Sequence, residues 1–186
     1  MILDAIGIVI MAVLGGARLY QMIAGEWWVF PLFAHAMISA FLLILRGKTD
    51  RKATVWQKLV AWISALLPFA IQVNVELPIL LRALSISGVA FAVWTIVVLG
   101  RSFDVAPADR GLVVRGPYNL VRHPMYASEI FSTVMVAAAE MTLWNFLVIS
   151  LLVATIVVRI RWEEGIISEY SAYSDRVRAR LLPGVW

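Results

Sequence analysis

Residues 78–99 read PILLRALSISGVAFAVWTIVVL, an apolar run of 22 residues with one charged side chain, Arg82. A transmembrane helix needs about 20 such residues to cross roughly 30 Å of hydrocarbon. The whole chain shares this character, because its 186 residues are 62% hydrophobic and 15% charged, with a mean hydropathy of +0.86. A soluble domain is about half apolar and about a quarter charged. The sequence therefore predicts an all-α integral membrane protein.

Six apolar segments are present, and helices are expected because lipid offers no partners for exposed backbone groups. The segments are 2–23, 28–45, 55–73, 78–99, 125–139 and 143–160. The fifth is short for a crossing, so residues 125–160 could instead form one long bent helix with Glu140 inside the bilayer, at a cost in free energy. We expect a polytopic bundle of five to six transmembrane helices that forms a single membrane domain over residues 1–186.

The connections between the segments differ in charge. Fourteen of the 16 Lys and Arg residues lie in 46–58, 101–122 and 159–180. Six spans place these stretches on one side, which the positive-inside rule makes the cytoplasm. The tail, 163–180, has apolar residues at helical spacing, which predicts a cytoplasmic C-terminal amphipathic helix that continues from the last span along the membrane surface. The expected location is the inner or plasma membrane, with the active site facing the cytoplasm.

Several classes of site are not expected. The chain has no cysteine and only two histidines, His35 and His123, far apart in sequence. Disulfides and thiolate nucleophiles are thereby excluded, and no metal site is predicted. The net charge of +4 reflects basic residues that flank apolar spans, so nucleic acid is not an expected partner. Residues 1–4 lack the basic region of a signal peptide, which predicts a retained first span.

The most distinctive polar stretch is GPYNLVRHPMY, residues 116–126. Pro124 suits the first position of a helix, because its missing N–H would have no partner there. Arg122 and His123 then stand at a helix entrance, where free N–H groups favour an anionic ligand group, and Tyr126 lies on the first turn. The alternative is a membrane-border cap without a ligand, with a snorkelling arginine and interfacial rings.

A second polar cluster, RIRWEE at 159–164, follows the unbroken apolar run 147–158. Arg159 and Glu163 are four residues apart, which places them on one helical face. A plain ion pair on a solvated helix end is one interpretation. A charge as deep as Arg159, however, tends to face the interior of a bundle or a wet cavity. Because six spans bring both clusters to the same side, we expect them to form one site.

Together with LGRSF at 99–103, YSAYSDRV at 170–177 and LPGVW at 182–186, these clusters resemble the isoprenylcysteine carboxyl methyltransferase family, in its short prokaryotic form. The resemblance covers about residues 99–186, while the first half matches nothing specific. It implies a methyltransferase that binds S-adenosyl-L-methionine within residues 100–186, with 1–99 forming the N-terminal helices. Its substrate would be a lipophilic small molecule or a lipidated molecule that enters from the bilayer, among membrane lipids. The cofactor-binding residues implied are Tyr118, Arg122, His123, Pro124, Tyr126, Glu163 and Glu164.

The catalytic candidates are Arg159 and Glu163. The planar fork of Arg159 suits the carboxylate of an acceptor, with Glu163 holding the fork in place. A carboxylate is ionised at neutral pH and needs no base, so these residues favour carboxyl O-methylation of an isoprenylcysteine-type substrate. Glu163 or Glu164 could instead bind the amino group of the cofactor, while His123 and the helix entrance bind its carboxylate.

Three alternatives for the function stay open. Phospholipid N-methyltransferases look similar in the C-terminal region, but an amine acceptor must lose a proton and prefers acidic or aromatic surroundings. The arginine-rich clusters of this chain favour an anionic acceptor. A membrane reductase with a nicotinamide cofactor and a non-enzymatic membrane scaffold are the other two.

Overall fold

The computed structural model describes residues 2–49, 51–184 and 186, with side chains from residue 5 onward. Met1, at the predicted retained start, and Val185, in the C-terminal motif, lie outside the described residues. The helices are α1 (Ile2–Ile23), α2 (Phe30–Leu45), α3 (Val55–Leu66), α4 (Ile79–Leu99), α5 (Pro124–Ala137), α6 (Leu143–Ile166) and α7 (Tyr170–Arg176). The described residues contain no strand, only an isolated bridge between Lys52 and Ala108. The predicted all-α, polytopic fold class is confirmed.

All six predicted segments contain a helix, but they differ in length. Four helices are long and apolar enough to cross a membrane: Ala5–Ile23, Trp27–Leu45, Ile79–Ser102 and Leu143–Ile166. The third segment forms a shorter apolar helix, Val55–Ala70, and α5 has only 14 residues. By length alone the described residues therefore offer four full crossings, fewer than the five to six predicted.

The alternative of one bent helix over residues 125–160 is wrong. The helix α5 ends at Ala137, and α6 begins at Leu143 after an N-cap in which the Thr142 side chain accepts a hydrogen bond from the backbone N–H of Asn145. Glu140 lies in the connection and accepts a hydrogen bond of 2.6 Å from the backbone N–H of Asn74. A capping threonine before an apolar run is a common start signal for a helix, and here it separates the two segments.

The helices α4 and α5 lie in close contact, and Gly88 of α4 permits it. A Cβ atom at this position would lie 2.9 Å from a ring carbon of Phe131 and 3.0 Å from Cβ of Ser132, both on α5. Further packing joins α1 to α2, α2 to α4, and α6 to both α3 and α5. This packing places α5 against both α4 and α6.

The three basic stretches meet on one side of the bundle, as expected. Arg46 forms a salt bridge of 2.9 Å with Asp104, and the backbone N–H of Ala53 donates to the carbonyl of Pro107 at 3.0 Å. Asp109 accepts a hydrogen bond of 2.6 Å from the hydroxyl of Ser168. We call this side, formed by residues 46–49, 51–54, 100–123 and 167–184, the loop face. Its orientation toward the cytoplasm stays a prediction.

The C-terminal tail differs from the prediction of one continuous helix on the membrane surface. The helix α6 ends at Ile166, and Glu169 takes a left-handed conformation (φ 61°) before the short α7. Tyr170 and Tyr173 of α7 are buried, in a cluster with the loop residues Leu112 and Val114. The apolar face of the tail is therefore covered by the loop rather than by lipid.

Candidate active site at the loop face

The entrance of α5 begins at the residues that the sequence predicts, but the backbone N–H groups just before it are already hydrogen-bonded to the C-terminal tail. Pro124 takes the first helical position and His123 is the N-cap. The backbone N–H groups of Arg122 and His123 donate to the carbonyls of Ala179 and Arg180, at 2.9 and 2.8 Å. The tail therefore binds the two N–H groups that precede the helix, and these are not available to an anionic ligand group.

Glu164 is the centre of a charged network. Its carboxylate lies 2.9 Å from Nη1 of Arg122 and accepts hydrogen bonds from Nε and Nη2 of Arg180 at 2.9 and 3.0 Å. The hydroxyl of Tyr170 donates to it at 3.2 Å, and Nε2 of His123 lies 3.4 Å away. These contacts join the end of α6, the entrance of α5 and the tail, so Glu164 holds three parts of the loop face together.

Glu163 faces a different set of partners. It accepts a hydrogen bond from the hydroxyl of Tyr126 and lies 3.6 Å from Nδ1 of His123. The expected pairing with Arg159 is not among the described contacts, because Arg159 donates to Ser64 Oγ at 3.2 Å and to the carbonyl of Val105 at 2.9 Å. Although Arg159 and Glu163 share a helical face, Tyr126 of α5 lies against both: its ring is 4.6 Å from the Arg159 guanidinium carbon.

Burial and neighbouring charges shift the pKa values of several titratable groups outside the membrane-spanning segments. Burial lowers the pKa of His123, but its hydrogen bonds with Glu163 and Glu164 and the charges of both carboxylates outweigh that effect and raise the pKa above its usual value. Burial raises the pKa of Tyr118 and Tyr170 far above that of a free phenol. The two tyrosines are therefore neutral hydrogen-bonding groups at physiological pH.

Two cavities meet at this site. The loop cavity, of about 90 Å³, opens at the loop face and is lined by Tyr118, Arg122, His123, Tyr126 and Glu163 among others. The inner cavity, of about 490 Å³, lies among α1 to α6. Its wall is mostly apolar but includes Arg18, His35, Ser39, Arg82, Glu129 and Arg159. Met125 lines both cavities, so they adjoin at the entrance of α5.

A family model described as phospholipid methyltransferase matches residues 77–174, just over half of the chain. The chain belongs to the phospholipid methyltransferase family. Membership confirms the predicted recognition, since this is the family of membrane methyltransferases that includes the isoprenylcysteine carboxyl methyltransferase type. The short prokaryotic form stays a prediction. No curated protein matches the chain.

Membership makes this protein a membrane methyltransferase and implies S-adenosyl-L-methionine as the methyl donor. The residues of the loop cavity fit this donor, which carries a sulfonium, an ammonium and a carboxylate group. Glu163 and the tyrosine rings suit its cationic groups. Nε of Arg122 is buried and has no hydrogen-bond partner among the described residues. A donor of this kind suits the carboxylate of S-adenosyl-L-methionine. Pockets for small molecules typically measure about 300–1,000 Å³, so the side chains around the loop cavity must move apart on binding.

Two residues that line the inner cavity also have buried polar atoms without partners among the described residues. They are Nε of Arg159, a residue that is 2% exposed, and Oγ of Ser39, a residue that is 1% exposed. An unpaired buried polar group costs about 1–3 kcal/mol. Sites that bind polar ligand groups can retain such atoms, because a bound ligand supplies the missing partner. Each of the two cavities of this methyltransferase is thus lined by an arginine whose buried Nε has no partner among the described residues.

Glu129 and Ser39 are among the polar residues of the inner cavity that sequence reasoning missed. Glu129 lies within the apolar segment 125–139, and an ionisable residue inside a predicted span is itself a sign of function. Ser39 gives no such signal, because serine is common in membrane helices. The predicted residues Tyr118, Arg122, His123, Tyr126 and Glu163 line the loop cavity, and Arg159 lines the inner cavity. Pro124 begins α5, and Glu164 binds Arg122 and Arg180 behind the loop cavity.

Proposed function

We propose that this methyltransferase transfers a methyl group from S-adenosyl-L-methionine to the carboxylate of a lipophilic acceptor in the inner cavity. The expected reaction is carboxyl O-methylation of an isoprenylcysteine-type substrate. The observation that supports it best is Arg159, a buried cation that lines the cavity adjoining the loop cavity and whose Nε has no partner among the described residues.

In this proposal, the residues of the loop cavity bind and orient the methyl donor. Glu163 and the tyrosine rings would hold the cationic groups, and Arg122 the carboxylate. When bound, the donor supplies an electrophilic methyl group on sulfur. The chain then contributes alignment of the two reactants and exclusion of water from the space between them.

On the acceptor side, Arg159 is fixed before any substrate binds. Ser64 and Val105 hold its two terminal nitrogens, and the ring of Tyr126 lies under the guanidinium group. Two of its five N–H groups are thereby paired, and Nε–H, which has no partner among the described residues, is one of those left to donate to a carboxylate oxygen. The positive charge keeps the acceptor carboxylate ionised in an apolar cavity, and its second oxygen stays free to react.

Glu129 supports a second candidate, N-methylation of an amine acceptor such as a phospholipid headgroup. Its side chain lines the same cavity as Arg159. A carboxylate in this position could stabilise an ammonium group and take its proton before methyl transfer. The family description, phospholipid methyltransferase, is compatible with this candidate as well.

A methyl-transfer assay separates the two reactions. The purified full chain in lipid nanodiscs is given donor with a labelled methyl group and either a prenylated cysteine derivative or phosphatidylethanolamine, and the product is treated with base. A base-labile label released as methanol supports O-methylation. A base-stable label found only on phosphatidylethanolamine contradicts it and favours the amine. If calorimetry detects no binding of S-adenosyl-L-methionine, both candidates are wrong.

A further inference from the structure

The inner cavity is lined by two arginines at the end opposite the loop face. Arg18 lies five residues before the end of α1 at Ile23, and Arg82 lies three residues after the start of α4 at Ile79. They are the two basic residues of the chain that lie outside its three basic stretches. Basic residues are disfavoured on this side of a membrane, and charged residues within spans tend to mark a site. Topology therefore does not account for these two arginines.

Neither arginine is paired with a carboxylate among the described residues. The guanidinium carbon of Arg82 lies 5.2 Å from the centre of the Trp28 ring, and its Nη2 makes a long hydrogen bond of 3.4 Å to the carbonyl of Leu77. Nη1 of Arg18 donates to the amide oxygen of Gln21 at 2.6 Å. An arginine has five N–H donors, so both side chains keep donors for a further partner.

The acidic residues near this end do not neutralise it. Glu26 and Glu140 accept hydrogen bonds from amide groups, and Glu76 is exposed; none of the three lines the cavity. Glu129 does line the cavity, but it lies eight residues before the far end of α5, which is about 12 Å along the helix. This end of the inner cavity is therefore positively charged.

The cavity is as long as one leaflet of a bilayer is thick. On α4 its wall includes Arg82, Ser85, Ile86, Val89 and Ala92. From the first to the last of these the helix rises about 15 Å. The hydrocarbon core of a bilayer is about 30 Å thick, so one leaflet contributes about 15 Å. An apolar chain that starts beside the arginines can therefore extend along the mostly apolar wall to the middle of the membrane.

We infer that the inner cavity binds an anionic phospholipid from the leaflet opposite the loop face, and that this lipid is not the methyl acceptor. Its phosphate binds Arg18 and Arg82, and one acyl chain occupies the cavity. Arginine donors suit phosphate oxygens, and the ring of Trp28 lies at the level typical of lipid headgroups. The headgroup is held at the end of the bundle far from the loop cavity, where a methyl donor cannot reach it. This lipid site is independent of whether the acceptor is a carboxylate or an amine.

Matched lipids test the site in the wild-type chain. The full chain in a neutral detergent is titrated with phosphatidylglycerol and with a diacylglycerol of the same chains, and native mass spectrometry counts the bound lipid. Phosphatidylglycerol should bind at least about tenfold more tightly, because only its phosphate can pair with the arginines. Equal affinity would overturn the inference. Displacement of the lipid by an equal concentration of glycerol 3-phosphate would indicate a site for a free phosphate and would overturn it as well.

Variants separate this site from general attraction to a basic protein. Arg18→Gln/Arg82→Gln should bind phosphatidylglycerol at least about tenfold more weakly, whereas Arg18→Lys/Arg82→Lys should retain most of the affinity because it keeps both charges. The matched control is Arg101→Gln/Arg176→Gln, which removes two exposed arginines of the loop face and should stay within about threefold of the wild type. Equal losses in the two glutamine variants would contradict a specific site.

Photolabelling locates the acyl chain without any variant. Phosphatidylglycerol with a diazirine halfway along one chain should label Leu32 and Ile86, which line the inner cavity. Lipid that merely surrounds the protein labels exposed side chains such as Val13 of α1. Labelling confined to such exposed positions would place the lipid outside the bundle and overturn the inference.

A kinetic measurement keeps this site separate from the proposed reaction. The lipid chain and the proposed acceptor need the same cavity, so phosphatidylglycerol should raise the KM of the acceptor and leave kcat unchanged. Labelling of the cavity without this competition would support the lipid site and refute the proposed position of the acceptor. Methyl transfer that proceeds in a protein without cavity labelling would refute the lipid site alone.

Discussion

The hydroxyl of Tyr126 donates a hydrogen bond to Glu163, while its ring lies 4.6 Å from the guanidinium carbon of Arg159. One side chain, 1% exposed, therefore contacts both a carboxylate of the loop cavity and the arginine of the inner cavity. The proposed methyl transfer requires donor and acceptor to meet where the two cavities adjoin, with water excluded. Tyr126 lies in that position.

Removing the hydroxyl of Tyr126 should slow the reaction without unfolding the protein. In Tyr126→Phe the ring still packs under Arg159, but Glu163 loses a donor and its orientation. A hydrogen bond to a charged group contributes about 1.5–3 kcal/mol, so kcat/KM should fall roughly 10- to 100-fold. Steady-state methyl-transfer kinetics measure this. Tyr20→Phe, exposed on α1, is the control, and a Tyr126→Phe enzyme as fast as this control would argue against the role.

Arg159→Met should abolish turnover and spare donor binding. The substituted side chain keeps the volume but loses the Nε donor and the charge, and Arg159 lines the inner cavity rather than the loop cavity. Donor affinity measured by calorimetry should stay within about threefold of the wild-type value. Arg159→Lys should not restore the rate, because an ammonium group cannot reproduce the held guanidinium geometry. Loss of donor affinity in a folded Arg159→Met protein would refute this division of roles.

Much of the fold could be predicted because lipid leaves few choices for the backbone. Apolar length located the six helices α1 to α6, and Pro124 correctly marked the start of α5. The tail could not be predicted in the same way. The spacing of Tyr170 and Tyr173 indicates an apolar face, but only the tertiary structure shows that loop residues, not lipid, cover it.

The sequence predicted which polar clusters form the site, but not which side chains within them contact each other. The clusters 122–126 and 159–164 do come together, as predicted from their position on the same side of the bundle. A direct hydrogen bond between Arg159 and Glu163 is not among the described contacts, because i,i+4 spacing describes one helix and cannot anticipate that Tyr126 from a neighbouring helix lies against both side chains. Glu129 was missed although its position in an apolar segment was a usable signal.

The stability of the loop face should depend on pH through His123. Its folded pKa is raised, since Glu163 and Glu164 outweigh the effect of burial. The imidazolium therefore contributes stability that is fully present below the usual histidine pKa and is lost as pH rises through the raised value. Tyr170, which contacts the ring, and Arg180, which binds Glu164, both have raised pKa values and keep their protonation state over this range.

The comparison that isolates this effect is wild type against His123→Gln. The difference in Tm should be largest near pH 6 and should shrink toward pH 9, because only the wild type loses a proton at this site. Thermal denaturation in detergent at several pH values measures it. A difference that grows with pH would mean that the neutral imidazole is the stabilising form, contrary to the raised pKa.

The loop face should lie on the cytoplasmic side, with 14 of the 16 Lys and Arg residues in its three basic stretches and the adjoining helix ends. The chain has no cysteine, so single cysteines report topology without background. Ser171→Cys marks an exposed position on the loop face, and Val75→Cys an exposed position in the connection at the opposite ends of the helices. A membrane-impermeant maleimide should label Val75→Cys in intact bacterial cells and Ser171→Cys only in inverted vesicles. The reverse pattern would place the loop cavity outside the cell, where it could not draw the methyl donor from the cytoplasm, and would thus contradict both the topology and the proposed reaction.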